Sequence, residues 1–244
     1  MEDKYPVKYP RKILQRQIVR AVLRLIIPLF FDIEIKGREN FPKKGPLVVV
    51  GNHVAVMEAV LMTVYSPWLV EVMGASDIPH EKISELSIKI FGRIPVKRGH
   101  VDRPALKAGI GVLEQNGVIG LFPEGGIWEP NQMKAHTGVS FLSYHGNAPV
   151  VPIGFGGMLG ALEKALKFKR PSISMNIGKP IPAAKVPEGV ARKTYFDDFA
   201  QNVIDTVRSL IPPDDPTLQV RIKDESFDLE YHVQDAQGNN VEIP

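Results

Sequence analysis

Residues 46–58, PLVVVGNHVAVME, constrain this chain more than any other stretch. Residues 47–50 are a short, largely β-branched apolar run bounded by Pro46 and Gly51, which reads as a buried strand. Beyond His53, Val56, Val60 and Val64 recur at helical spacing with Met57 and Leu61 beside them, so a helix over 54–65 is expected. The same alternation continues. Strands are expected at 33–36, 47–50, 69–73, 94–96, 118–122, 150–153 and 173–177, and helices at 54–65, 81–91, 103–115, 135–144 and 195–210. Alternation with short connections predicts an α/β fold, a twisted and mainly parallel sheet flanked by helices. In open sheets of that kind ligands gather at the carboxyl ends of the strands. His53, Arg98 and Glu124 each follow such an end.

His53 and Glu58 are five residues apart, and on one continuous helix they would point about 140° away from each other. They can meet only if His53 lies on the loop before the helix. A carboxylate beside an imidazole holds one ring nitrogen as donor and leaves the other to accept a proton, which makes a general base. A helix-capping or surface histidine is the plainer reading of this stretch alone.

The 244 residues suffice for one sizeable core. No stretch reaches the ~20 apolar residues a bilayer requires, no secretory signal is apparent, and Cys is absent. Disulfides and thiolate metal sites are thereby excluded, and the cytoplasm is expected. The net charge of +3 is unevenly placed, with Lys and Arg outnumbering Asp and Glu seven to two over residues 1–24 and outnumbered two to eight over 214–244. Near the start, Leu14, Ile18, Ala21 and Leu25 form one helical stripe while Lys12, Arg16, Arg20 and Arg24 form another. This predicts a basic amphipathic segment over 1–32, suited either to an anionic membrane surface or to packing with a solvated basic face. The main domain is expected over 33–211. Residues 211–216, IPPDDP, then read as a linker, and alternation after it predicts a small antiparallel β extension within 212–244.

Two further stretches carry possible chemistry. Residues 92–99, GRIPVKRG, place Lys97 and Arg98 after a short strand, and the span from Lys89 to Lys107 holds six cations against one acid. Such a patch can hold a phosphate. Nucleic acid is a poorer explanation, because Phe91 is the only aromatic in that stretch and a stacking surface is missing, so no nucleic-acid partner is expected. Residues 121–126, LFPEGG, run a strand into Glu124 and Gly125, an acceptor for a substrate hydroxyl beside a glycine that permits close approach. No P-loop, dinucleotide fingerprint, nucleophile elbow or metal-ligand spacing is present, and no cofactor is expected.

In order, Asn52-His53 with an acid five residues after the histidine, Ile94 to Gly99, Phe122-Pro123-Glu124-Gly125 and Val151-Pro152-Ile153 resemble the four-block pattern of the glycerolipid acyltransferases. The best-known members are 1-acylglycerol-3-phosphate acyltransferases, and the resemblance covers about residues 33–182. It implies an enzyme moving a fatty acyl group from acyl-CoA or acyl-carrier protein to a lysophospholipid hydroxyl by direct attack. It further implies His53 as base and Glu58 as its orienting acid. Lys97, Arg98, Glu124 and Gly125 would lie on the acceptor side, and Val151, Pro152 and Ile153 on the acyl-donor side. The N-terminal helix resembles a membrane-docking segment, which implies the cytoplasmic face of a membrane. Three departures stand out: Glu58 where the family has Asp, Ala55 where it commonly has Ser, and Gly126 to Trp128 where it has Thr-Arg-Ser. They leave open an unphosphorylated acceptor, or a catalytically silent lipid-binding membrane adaptor.

Overall fold

The computed structural model describes residues 7–76, 82–97, 101–123, 136–215, 218, 233–234 and 240–241. Seven strands form one sheet: β1 (Asp32–Lys36), β2 (Leu47–Gly51), β3 (Val70–Ala75), β4 (Ile94–Val96), β5 (Val118–Leu121), β6 (Val150–Gly156) and β7 (Ser172–Ile177). Their order is β1-β7-β6-β2-β5-β3-β4, and each neighbouring pair is parallel except β6 with β7. β2 lies at the centre with all five residues buried. A strand apolar on both faces must be covered on both. Helices α1 (Ile13–Phe30), α2 (Met57–Tyr65), α3 (Lys82–Phe91) and α6 (Ala161–Leu166) cover one side; α4 (Arg103–Glu114), α5 (Gly138–His145) and α7 (Arg192–Leu210) cover the other. Val49, Val151, Ile153 and Phe155 enter the first layer with Leu61 and Met62, and Val48 and Val50 enter the second with Val112, Leu142 and Val203. Each such burial is worth roughly 1.5–3 kcal/mol.

The differences from the sequence expectation are local. α2 begins at Met57 rather than 54, and β6 runs on to Gly156. α6 was not expected, because six residues with Ala161 and Ala165 on the buried side are too few for periodicity to register. The stretch 211–215 is no free linker. Ile211 and Asp215 are buried, and Asp215 Oδ2 accepts from the Gly157 N–H at 2.5 Å. A Cβ on Gly154 would meet Leu210 at 2.4 Å and one on Gly156 would meet Pro212 at 2.7 Å, so the two glycines let this segment lie directly on β6. Of the expected β extension, β8 (Val233–Gln234) and β9 (Asn240–Val241) pair antiparallel, and its other residues lie outside the described ones.

The N-terminal helix sits the other way up from the expectation of an outward basic face. Arg16 and Arg20 are buried. Arg16 Nη1 and Arg11 Nε grip the buried Glu71 of β3 at 2.5 and 2.7 Å, and Arg16 Nη2 donates to the Val70 carbonyl. Arg20 and Arg24 donate to the carbonyls of Val64 and Ser66, where α2 runs out of its own donors. Burial, then neighbouring Arg24 and Arg16, push the Arg20 guanidinium down to about 10, so it stays charged at neutral pH. A buried cation persists only where charges and carbonyls answer it. Glu71 and the end of α2 provide these. The outward stripe of α1 is therefore apolar, with Leu14, Ile18, Val22, Leu25 and Leu29 all exposed.

Candidate active site

β2 ends at Gly51 and five residues connect it to α2. The first, Asn52, is buried and makes a reciprocal amide pair with β6: its Nδ2 donates to the Phe155 carbonyl at 3.0 Å and its Oδ1 accepts from the Phe155 N–H at 2.8 Å. That clamp sets where the next residue starts. His53 lies on the loop, as its spacing from Glu58 requires, and its ring stacks on Phe122 just past β5, with centroids 4.3 Å apart and planes 18° from parallel.

Glu58, in the first turn of α2, is fully buried and turns back over the loop. Its Oε1 accepts from the N–H groups of Val54 and Ala55, each at 3.0 Å, and its Oε2 accepts from Ala55 at 3.1 Å. A carboxylate at a helix N-terminus is favoured by the free N–H groups and by the helix dipole. Glu58 also holds residues 54–56 out of the helix, which explains the late start of α2. Its Oε2 lies 3.6 Å from His53 Nδ1. That distance exceeds a hydrogen bond. The Nδ1 side of the ring faces the acid. The His53 side chain keeps 22% of its surface open while Glu58 has none.

The structure brings His53, Glu58, Phe122 and Pro123 together at the carboxyl edge of the sheet. Pro123 O accepts from the His136 N–H at 3.1 Å. Lys97 is exposed past β4 on the same edge, three strands from β2, which at about 4.8 Å per strand is roughly 14 Å. Its N–H donates to Asp102 Oδ2 at 2.8 Å, while Oδ1 of the same residue caps α4 through Ala105 N at 3.0 Å. Arg98, Glu124 and Gly125 lie outside the described residues. Val151, Pro152 and Ile153 are buried in β6, paired with Val49, Val50 and Gly51. Sequence reasoning missed Phe122 as the surface under the imidazole and the Asn52–Phe155 clamp. The signal for the second was an Asn directly after the terminal glycine of a strand.

The chain is thus a three-layer α/β/α domain carrying a histidine at a strand end, with a buried carboxylate behind it. A family model described as Acyltransferase matches residues 32–156, and the chain belongs to that family. It is an acyltransferase enzyme. The chain is 23% identical over 161 residues to 1-acyl-sn-glycerol-3-phosphate acyltransferase of Bacillus subtilis (strain 168), covering 66% of this chain and 79% of that one. The crystal structure of the 1-acyl-sn-glycerophosphate (LPA) acyltransferase, PlsC, from Thermotoga maritima shares the fold, with a TM-score of 0.59, 17% identity and 84% of each chain covered.

Proposed function

We propose that the enzyme moves a fatty acyl group from an acyl thioester to a free hydroxyl of a lysophospholipid, 1-acylglycerol-3-phosphate first, with His53 as general base. The observation that carries this reading is the His53–Glu58 pair at the end of β2, its acid fully buried and fixed by two backbone amides. Nε2 takes the acceptor proton as the oxygen attacks the thioester carbonyl. Glu58 offsets the charge that the imidazole gains. The tetrahedral intermediate then collapses, the C–S bond breaks, and the imidazolium returns the proton to the departing thiolate. Oxygen, carbon and sulfur exchange partners with no acyl-enzyme, consistent with a chain that has no Cys and no serine elbow.

Lys97 and Arg98 hold the acceptor phosphate in this scheme, with Glu124 and Gly125 at its glycerol. Val151, Pro152 and Ile153 form the floor on the acyl-donor side. The exposed apolar stripe of α1 rests on the membrane that supplies the lipid. Among the described residues, no helix is long and apolar enough to cross a membrane. The test is product analysis after incubating the protein with acyl-CoA, or with acyl-carrier protein charged with the same chain, and a panel of lysolipids including monoacylglycerol. Phosphatidate from lysophosphatidate, lost in His53→Ala, is the expected result. Preference for monoacylglycerol would move the phosphate assignment aside and tie Gly126 to Trp128 to a different acceptor. No product from any lysolipid with either donor would overturn the reading.

A further inference from the structure

The α6–β7 connection has an unusual end. Phe168 N–H donates to Ala165 O at 2.9 Å and Lys169 N–H to Lys164 O at 3.0 Å, the paired bonds of a helix closed by a left-handed residue. Glycine usually takes that residue's place, because a side chain there strains the backbone. Here it is Phe168, at φ +57°, with 80% of its surface exposed. Leu166 beside it is 70% exposed. A strained backbone that presents a phenyl ring to solvent improves neither packing nor solubility.

Its neighbours share the pattern. The Phe168 ring lies 5.7 Å from that of Phe30 at the end of α1, and Arg170 Nη2 donates to the Pro28 carbonyl at 3.2 Å, fastening this connection to α1. Leu25 and Leu29, both largely exposed, end the apolar stripe of α1 at the same place. Around Phe168 stand Lys164, Lys167, Lys169 and Arg170, all exposed; of the nearby acids among the described residues, Glu163 is paired to Lys167 at 2.5 Å and Asp32 accepts from Ser172 Oγ at 3.2 Å. The strand registers locate this patch. Gly51 pairs with Ile153, Gly156 with Ser174 and Ser172 with Asp32, so the 157–171 connection and the end of α1 open at the same sheet edge as His53.

We propose that residues 164–170 form a second membrane contact, with Phe168 and Leu166 entering the headgroup boundary beside Leu25 and Leu29. Lys164, Lys169 and Arg170 select anionic lipid. The proposal rests on reading α1 as the membrane-facing helix and changes where its charge selectivity resides. The arginines of α1 are committed to Glu71 and to the end of α2, whereas Lys164 and Lys169, beside Phe168, are exposed. Apolar side chains ringed by Lys and Arg match an anionic interface, where buried apolar area and charge attraction add. The occupant is thus a bilayer surface with acidic headgroups.

Binding of the full chain to vesicles of phosphatidylcholine alone and of mixed phosphatidylcholine and phosphatidylglycerol tests this. Phe168→Gly relieves the backbone, so its thermal midpoint should hold or rise while its partition into both vesicles falls about tenfold or more. Lys164→Gln with Lys169→Gln should bind neutral vesicles as wild type does and lose about fivefold per cation on the mixed ones. Leu25→Ser with Leu29→Ser reports separately on α1. Loss in that variant with wild-type binding in Phe168→Gly overturns the second contact and leaves the α1 reading standing. A wild type that binds neither vesicle overturns both. Sedimentation velocity supplies the remaining arm, since a wild-type dimer that Phe168→Gly turns into a monomer would make this patch a face between copies of the chain, against the proposal. Acyl transfer to a short-chain, water-soluble acceptor should persist in these variants, which keeps failure of docking apart from failure of the catalytic reading.

Discussion

Replacing Glu58 by Gln removes one charge and almost no volume, which isolates what that charge does for His53. With Oε2 3.6 Å from Nδ1, a full imidazolium would gain roughly 5 kcal/mol at an effective dielectric constant near 20. Solvent reaches His53, and the proton is only partly transferred in the transition state, so about 2 kcal/mol is the share to expect, or roughly 30-fold in kcat. KM should hardly move, because Glu58 is buried and touches the substrate only through His53. Stability should change as well. The Val54 and Ala55 amides exchange a charged acceptor for a neutral one, at about 1 kcal/mol each. For a chain of this size that lowers Tm by about 4–8 °C. Steady-state kinetics with acyl-CoA and lysophosphatidate, beside calorimetry on the same preparation, measure the two effects. A folded Glu58→Gln protein with kcat within about threefold of wild type would refute the assignment of Glu58 as the acid behind the base. Glu58→Asp keeps the charge and should retain far more activity than Gln.

His53→Ala should lower kcat by about 10²–10⁴ with Tm nearly unchanged, since the ring lies on a loop and is partly exposed; unaltered turnover would remove the base. Arg98→Ala should raise the KM for lysophosphatidate about 10- to 150-fold and leave the donor KM alone, and equal effects on both would place Arg98 elsewhere. Asn52→Ala strands the N–H and carbonyl of Phe155 in the core, at roughly 1–3 kcal/mol apiece, and loosens the start of the loop that carries His53; chemical denaturation showing no loss would contradict the clamp. Arg16→Leu leaves Glu71 with Arg11 alone and should cost about 3–5 kcal/mol in the same assay, whereas an outward, lipid-facing Arg16 would cost almost nothing.

Much of this protein is determined locally. Residues 47–50 are a strand because β-branched residues between a proline and a glycine have little else to form. His53 and Glu58 lie within the same few residues, so the strand, the loop and the candidate pair were legible in sequence, whereas the clamp on Asn52 depends on Phe155, far along the chain. The ordered motifs were too, and they pointed to the family. α6 was not legible, because one turn and a half carries too little pattern, and neither was the reversal at β7, since strand direction depends on which partner the chain meets. The orientation of α1 shows most clearly what only the tertiary structure decided. Its sequence defines two faces, one of arginines and one of leucines and isoleucines, and ordinary burial would turn the second inward. The outcome was set some forty to sixty residues away, by Glu71 on β3 and by the open carbonyls of Val64 and Ser66 at the end of α2. Helical periodicity shows that a helix has two unlike faces; which one is buried depends on what lies opposite it in space.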